Sequence, residues 1–308
     1  MLDAVLHHLV TAAPTPAPCD GVSTWWRGHL ACTAPFTAPI ERAIVAGFAA
    51  DRPAWAFASG YQEALARLVP ALAGTRGAMC ATEDQGAHPS TIKTALAGGR
   101  VTGDKRFVTL AGEVEQLLVV ASLGEDAAGR NRLTVVRLPA TRAGITFGAM
   151  GPSPFVPELP MGTLRLAQVQ VEDGEQLPGD GYDTFLKPFR TVEDLHVHAA
   201  LLGWIFQVGR RAAWPRDLLE RLLAELSCLA ALAPGDPSEP AVHLALGGVL
   251  THSHRLLADL EPHWAAADAA SRERWLRDRV VLSVAGKARA QRLEVAWGRV
   301  SGARPASD

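Results

Sequence analysis

Two pairs of histidines are the first residues in this chain whose type and spacing could do chemistry, because imidazole is a common ligand of metal ions. They are His196-x-His198 and His252-x-His254, and both pairs fall in stretches whose apolar periodicity predicts a helix. Residues two apart on a helix point roughly 200° away from each other, so neither pair can hold one ion. We therefore expect ordinary polar positions and no metal site.

The spacing of the cysteines and the lack of nucleophile motifs argue against several further kinds of site. The chain has four widely spaced cysteines, Cys19, Cys32, Cys80 and Cys228. This spacing fits neither a disulfide framework nor a zinc site. No Gly-x-Ser-x-Gly elbow, nucleophilic Cys/His arrangement or Gly-rich strand-to-helix turn stands out. The first residues carry no basic signal-peptide region, so the cysteine usage favours a reducing cytoplasm.

The amino-acid composition limits the classes of protein to which this chain can belong. The chain has 308 residues, of which 48% are apolar and 20% charged, with a formal net charge of −2. These values predict a globular protein with a sizeable core. The balanced charge argues against a nucleic-acid partner and against polybasic membrane attachment. No apolar run approaches the roughly 20 residues of a membrane helix, so no membrane partner is expected.

The elements follow one another in three blocks, which predicts an α+β fold. Residues 1–78 form an N-terminal helical segment rich in Ala and Leu. Residues 79–178 alternate short β-forming runs with turn residues and form a middle antiparallel β domain. Residues 179–300 form a C-terminal helical bundle, and residues 301–308 a disordered tail.

The bundle helices carry recognisable start signals. Thr191 is predicted to be an N-cap, with Glu193 and Asp194 in the first turn that follows. Pro215 is predicted to open the second helix. We expect a third helix over 241–260 and one long closing helix over 271–297.

Four motifs in register point to a known family. The first is the run Met79 to Pro89 with its Thr-Glu pair, and the second is Gly103-Asp104-Lys105-Arg106-Phe107-Val108-Thr109. The third ends in Ala200-Leu201-Leu202-Gly203, and the fourth begins at Arg277 and ends in Gln291-Arg292-Leu293. Over residues 55 to 297 the chain resembles the acyl-CoA dehydrogenases, in the order of that family's domains. Each motif alone is weak, but four in order are specific.

The resemblance implies FAD as cofactor and places the flavin ring at the β domain. The residues it assigns to cofactor binding are Met79, Ala81, Thr82, Phe107 and Thr109. Hydroxyl donors tune the charge of a reduced flavin, and an aromatic ring stacks on its flat π-system. The alternative is structural: Thr82 as a turn-capping hydroxyl and Phe107 as a core aromatic. His88 stands where the family has a serine that meets substrate or flavin, so the resemblance makes it a substrate-binding candidate.

The resemblance also implies a carboxylate that takes the α-proton of an acyl thioester. Most members have Glu before a Gly in the closing helix, where this chain has Ala285-Gly286. A minority, the isovaleryl- and long-chain-type enzymes, use Glu at the position of Glu193. Glu193 is therefore the candidate base, with stabilisation of the first helical turn as its structural alternative. The neighbouring Asp194 would raise the pKa of Glu193 unless Arg190 compensates.

Two departures from the family leave a second interpretation open. Residues 209–215 hold no Arg-x-x-Phe, and residues 235–275 hold no Gln-x-x-Gly-Gly, the motifs that bind the ADP half of FAD in the family. If FAD binds, its pyrophosphate needs other donors; Arg210 or Arg211 is a candidate, with solvation at the protein surface as the commoner alternative. The first interpretation is an oxidoreductase acting on acyl-CoA or a related thioester, with an electron-transfer flavoprotein as partner. The second is a non-catalytic homologue without FAD that serves as partner subunit of a heteromeric dehydrogenase. Both imply a homo- or hetero-oligomer.

Overall fold

The helices and strands of the protein follow one another in three blocks along the chain. The structure is a computed structural model that describes residues 2–284 and 286–301. The tail expected at 301–308 lies outside the described residues from residue 302 onward. The N-terminal block contains α1 (Leu2–Thr11), α2 (Val22–Thr33), α3 (Pro39–Ala49) and α4 (Pro53–Leu68). The middle block contains β1 (Gly77–Cys80), β2 (Ala95–Ala97), β3 (Arg100–Thr109), β4 (Gln116–Glu125), β5 (Asn131–Pro139), β6 (Ile145–Ala149) and β7 (Met161–Gln170).

The third block is helical again. Its helices are α5 (Lys187–Arg211), α6 (Arg216–Leu232), α7 (Pro240–Leu260), α8 (Ala269–Asp278) and α9 (Gly286–Val300). The helical, β, helical order predicted from the sequence is confirmed. Within the described ranges, no helix is both long and apolar enough to cross a lipid bilayer.

The described chain divides into two compact units that do not follow the three blocks. The helical unit comprises residues 1–64, 154–156 and 191–308, so it joins the N-terminal helices to the bundle. The sheet unit comprises residues 65–153 and 157–190. Each unit has its own buried apolar core.

One sheet contains all the strands of the sheet unit. Their order is β1-β4-β2-β3-β7-β6, and β5 pairs with β4 on its free side. Antiparallel ladders join β4 to β5, β2 to β3, β3 to β7 and β6 to β7. The short strands β1 and β2 instead run parallel to β4, because each reaches it through a long connection and not a hairpin.

Small residues bring the helices of the helical unit into backbone contact. A Cβ atom at Gly47 of α3 would overlap the carbonyl oxygen of Ala200 on α5. A Cβ atom at Gly60 of α4 would lie 2.6 Å from the Cα of Val197. Helix α5 is therefore packed directly against the backbones of α3 and α4. Only glycine permits an approach this close.

The predicted start of the first bundle helix is wrong. Helix α5 begins at Lys187, after a π-helical turn over Gly181–Leu186, and Thr191 is buried inside it. The cap is Asp180, whose carboxylate accepts hydrogen bonds from the amides of Tyr182 and Asp183, both at 2.8 Å. Glu193 and Asp194 consequently lie in the helix interior.

The predicted long closing helix is wrong as well. The chain is helical over α8, passes through a 3₁₀ turn at Arg279–Leu282, and becomes helical again only at α9. Asp278 is fully buried at this break, and its Oδ1 accepts the amide of Val156 at 2.8 Å. The sequence after Asp278 contains three valines, Ser283 and Gly286, which have low helix propensity. The predicted second and third helices, by contrast, are confirmed as α6 and α7.

Candidate functional site

The loop after β1 is held by a buried ion pair. The Nζ atom of Lys105 on β3 lies 2.7 Å from Oε1 of Glu83 and has no exposed side-chain surface. The same carboxylate accepts the amides of Lys93 at 2.8 Å and Thr94 at 3.0 Å. Glu83 thus joins both ends of the loop over 83–94 to the sheet. Both residues lie inside the motifs that carry the family resemblance, which is the sequence signal that could have identified the pair.

Burial and hydrogen bonding oppose each other in this pair. Burial alone would raise the pKa of Glu83, but the hydrogen bonds from Lys105 and the two amides outweigh it and lower that pKa. Burial lowers the pKa of Lys105, and the Glu83 carboxylate only partly restores it. The ion pair holds the loop against β3.

Next to this pair, Phe107 has an unusual backbone. Its φ is +55°, and its side chain is 53% exposed. The register of β3 against β7 shifts between Lys105 and Val108, so Arg106 and Phe107 form a bulge. A bulky residue with positive φ carries strain that persists where the surroundings impose it, commonly at functional sites. Phe107 is therefore not a core aromatic: the bulge presents its ring to the surface.

Thr82 lies against the same bulge. The amide of Arg106 donates to the Thr82 carbonyl oxygen at 2.8 Å, and the Thr82 side chain is half-buried. Thr109 follows Phe107 by two residues on β3; it pairs with Met161 and is buried. Thr82 and the Phe107–Thr109 segment, 25 or more residues apart in sequence, are therefore close neighbours in the sheet unit.

The remaining candidates of the sheet unit differ in exposure. Met79 lies on β1 and Ala81 directly follows that strand, and both are buried. His88 is exposed beyond a tight turn closed by the Glu83–Gly86 bridge. Its Nδ1 bonds to the Ser90 hydroxyl at 2.8 Å. Met79 and Ala81 thus support the loop, and His88 lies on its outer part.

In the helical unit, Glu193 is half-buried on α5. Its neighbour Asp194 is buried and forms ion pairs with Arg289 and Arg292 of α9, the former at 2.9 Å. The counter-charges expected from Arg190 therefore come from the closing helix instead. A cavity of about 190 Å³ borders this cluster and is lined by Leu250 and His254 among others.

Two histidines of α5 are buried, contrary to the expectation of ordinary polar positions. His196 and His198 are each 1% exposed. His196 Nδ1 bonds to the Val192 carbonyl oxygen at 2.7 Å. His198 has no hydrogen-bond partner on either ring nitrogen among the described residues. Burial, with smaller contributions from Arg289 and His254, lowers the pKa of His198 to about 3, so its ring is neutral.

The part of the chain that the structure describes contains no group of side chains that could bind a metal ion. No cluster of three or more His, Cys, Asp and Glu side chains there could hold an ion. The four cysteines are free thiols.

The two halves of FAD fit the residues of this chain unequally. For the ring half, the exposed Phe107 on its strained bulge and the half-buried Thr82, whose backbone carbonyl oxygen bonds to that bulge, are suitable contacts. For the ADP half, the two arginines expected as substitutes are engaged within the chain. Arg210 donates to the carbonyl oxygens of Leu9 and Ala12, at 2.5 and 2.7 Å. Arg211 pairs with Asp268 and Ser271, so both guanidinium groups already have partners within the chain.

Known proteins match this chain through structure alone. No family model and no curated protein matches it. Butyryl-CoA dehydrogenase from Megasphaera elsdenii is 15% identical, with 90% of this chain and 88% of that chain covered and a TM-score of 0.68. The prolyl acyl carrier protein oxidase AnaB is 13% identical, with 96% and 97% covered and a TM-score of 0.68. PigA, solved with FAD and proline, is 12% identical, with 98% and 94% covered and a TM-score of 0.69.

These similarities extend over nearly the full length of both chains in each comparison. They show that this protein has the acyl-CoA dehydrogenase fold. The resemblance drawn from the four motifs is confirmed at this level.

Proposed function

We propose that the protein is an acyl-CoA dehydrogenase-like flavoprotein that oxidises an acyl thioester between its α- and β-carbons. The observation that carries this proposal is the Phe107 bulge beside Thr82, a strained and surface-directed aromatic that the core does not require. Thr82, Phe107 and Thr109 would contact the flavin ring, with Met79 and Ala81 supporting the loop and His88 on the substrate side. When bound, FAD supplies the two-electron acceptor.

Glu193 is the proposed base that takes the α-proton. The alternative role of Glu193, stabilisation of the first helical turn, is less well supported. Glu193 lies inside α5 and not in a first turn, where the helix dipole would favour an acid. Asp194 does not act as an unpaired second carboxylate, since Arg289 and Arg292 neutralise it.

The carrier of the acyl substrate and the electron-transfer partner are proposed from the similar proteins alone. The similar proteins include a butyryl-CoA dehydrogenase and a prolyl acyl carrier protein oxidase. The proposed substrate is therefore a thioester on CoA or on an acyl carrier protein. An electron-transferring flavoprotein is the proposed partner that reoxidises the protein.

A second candidate function is that of a non-catalytic subunit in a hetero-oligomer. The specific observation in its favour is that Arg210 and Arg211 are held by partners in the chain, while both ADP-binding motifs are missing. A catalytic paralogue would then supply the complete site.

Flavin content and bleaching distinguish the two functions. The first predicts a purified protein that takes up FAD and whose flavin absorbance bleaches anaerobically with butyryl-CoA or with a butyrylated carrier protein. The second predicts a colourless protein that takes up no added FAD, and this result would end the first proposal.

The variant Glu193→Gln tests the base. General-base catalysis contributes about 10²- to 10⁴-fold, so bleaching should slow by at least about 100-fold while the flavin remains bound. Glu220→Gln, which alters an exposed acid of α6, is the matched control and should bleach at the wild-type rate. Wild-type bleaching by Glu193→Gln would place the base elsewhere.

A further inference from the structure

A cavity in the helical unit has the features of a small-molecule site. Its volume is about 320 Å³, and segment 12–19 covers helices α2, α3 and α4 there. Its walls are mainly apolar, with Trp25, Phe48 and Trp55 among them. Ligand pockets typically begin at about 300 Å³ and combine apolar walls with a few polar groups. His29 and Ser59 are among the polar residues that line this cavity.

The cover of this cavity is fastened along its length. Gln207 donates to the Pro14 carbonyl oxygen at 2.7 Å, and Arg210 to that of Ala12 at 2.7 Å. At the far end the amide of Cys19 donates to Asp51 at 3.2 Å. The cavity is thus a formed feature of the unit.

Three side chains form a hydrogen-bonded series at the edge of the cavity. The Oγ of Ser59 lies 3.1 Å from Nδ1 of His29, and Nε2 of His29 lies 3.0 Å from Oε1 of Glu63. Arg42 donates to the other Glu63 oxygen at 2.7 Å. An ionised carboxylate only accepts hydrogen bonds, so Nε2 carries the ring hydrogen and Nδ1 accepts the hydrogen of the Ser59 hydroxyl. This is the order of groups in a nucleophile, base and orienting acid.

We propose that Ser59 is a nucleophile that short-chain acyl esters and thioesters acylate. Its Oγ forms a bond to the acyl carbonyl carbon, and its proton passes to Nδ1 of His29. The carbon–oxygen or carbon–sulfur bond of the substrate then breaks, and the leaving alcohol or thiol takes that proton. Water later hydrolyses the Ser59 ester, with His29 as base again. Glu63 is a positioning residue that holds the His29 ring.

Trp25 donates a hydrogen bond to the attacking oxygen of Ser59, which is not the substrate carbonyl oxygen that becomes the oxyanion. Its Nε1 lies 3.0 Å from the Ser59 Oγ. Ser59 is in the middle of α4, where its own amide serves the helix. Loss of one oxyanion donor slows enzymes about 10²- to 10³-fold. We therefore expect slow turnover, with the acylated protein accumulating.

The two thiols that line the cavity are weaker candidates for this chemistry. Burial raises the pKa of Cys32 to about 11, and burial also raises the pKa of Cys19. The thiolate is the reactive form of cysteine. Ser59 differs from both because a base already accepts its proton.

The full-length protein, free of added flavin, provides the test. It is incubated with p-nitrophenyl acetate or p-nitrophenyl butyrate, and the adduct is located by intact-mass and peptide mass spectrometry. One acyl group on Ser59 is expected, absent in Ser59→Ala. Ser227→Ala is the matched control, since the Ser227 hydroxyl bonds only to its own helix at Leu223; it should be acylated like the wild type. This readout requires no flavin, so it is independent of the proposed function.

Variants of the two other residues separate catalysis from folding. His29→Gln should slow acylation by about 100-fold or more, as expected for loss of a general base. Glu63→Gln should slow it as well, and Glu63→Asp should recover part of the rate, because only a carboxylate favours the required ring tautomer. Acylation of Cys19 or Cys32 in place of Ser59, no adduct at all, or a wild-type rate in Glu63→Gln would each overturn the proposal.

Discussion

Lys105 and Glu83 form an ion pair, 2.7 Å between Nζ and Oε1, in which the lysine side chain has no exposed surface. The two residues are 22 positions apart. They join β3 to the loop that carries Thr82, so the geometry of the candidate flavin site depends on them.

Substitution of Glu83, which breaks this ion pair, should lower the local stability of the sheet unit. Glu83→Gln removes the negative charge beside the buried Lys105 ammonium, and the glutamine NH₂ group cannot accept a hydrogen bond in place of the second carboxylate oxygen. Removing one partner of a buried pair costs about 3–5 kcal/mol. We expect a loss of that size in the opening free energy of β3, measured by amide hydrogen exchange. The double variant Glu83→Gln/Lys105→Met should recover much of it.

An exposed pair in the same loop is the control for this prediction. Arg106 and Asp84 lie 2.8 Å apart, but the Asp84 side chain is 83% exposed. Exposed pairs contribute about 1 kcal/mol or less, so Asp84→Asn should change little. Equal losses in Asp84→Asn and Glu83→Gln would contradict the buried-pair account.

His198 should make the stability of the helical unit depend on pH. Its pKa is lowered to about 3 in the folded protein, whereas an unfolded histidine titrates near 6.5. Between these values only the unfolded state takes up the proton, so stability falls as pH falls from about 6.5, by up to about 1.4 kcal/mol per pH unit. His198→Phe should remove this component.

Thermal unfolding at pH 7, 6 and 5 measures the His198 effect. The gap between His198→Phe and the wild type should widen in favour of the variant as the pH falls. Val10→Ala, at an exposed position on α1, removes no titratable group; it is the control and should show a constant gap. A constant gap for His198→Phe would mean that the His198 ring takes up a proton as readily in the folded state as in the unfolded state.

Gly47 should tolerate no side chain. In Gly47→Ala the new methyl group would overlap the Ala200 backbone, which cannot rotate away. Overpacking typically costs about 1–3 kcal/mol, and we expect about 3 here, seen as a lower melting temperature. Gly248→Ala on α7 meets nothing within 4 Å and should stabilise by about 0.5–1 kcal/mol. A neutral Gly47→Ala would mean that α3 and α5 separate readily.

Phe107 should show opposite effects on stability and on flavin binding. Glycine adopts a φ of +55° without strain, whereas other residues lose about 1–2 kcal/mol there. Phe107→Gly should therefore stabilise the flavin-free protein by about 1 kcal/mol and weaken FAD binding, measured by calorimetric unfolding and flavin titration. Gln168, also exposed and with a φ of 52°, is the matched control: Gln168→Gly should change stability alone. If Phe107→Gly bound FAD as tightly as the wild type, the proposed contact between Phe107 and the flavin ring would be wrong.

Local sequence patterns predicted most of the elements and the fold class. The β-forming runs became β3, β4, β5 and β7, and the third bundle helix was expected within one residue of α7. The motifs also indicated the acyl-CoA dehydrogenase fold. These features are readable because side-chain periodicity and turn residues act over a few positions.

Tertiary contacts decided which polar side chains pair with each other and where the closing helix is interrupted. Asp194 meets Arg289 across 95 residues, and Ser59 meets His29 across 30. Periodicity shows which face of a helix is apolar but not which distant side chain will face it. For the same reason the burial of His198 and the interruption of the closing helix at Asp278 were missed. Both depend on how the helices pack, whereas local sequence patterns were enough to indicate most of the helices and strands.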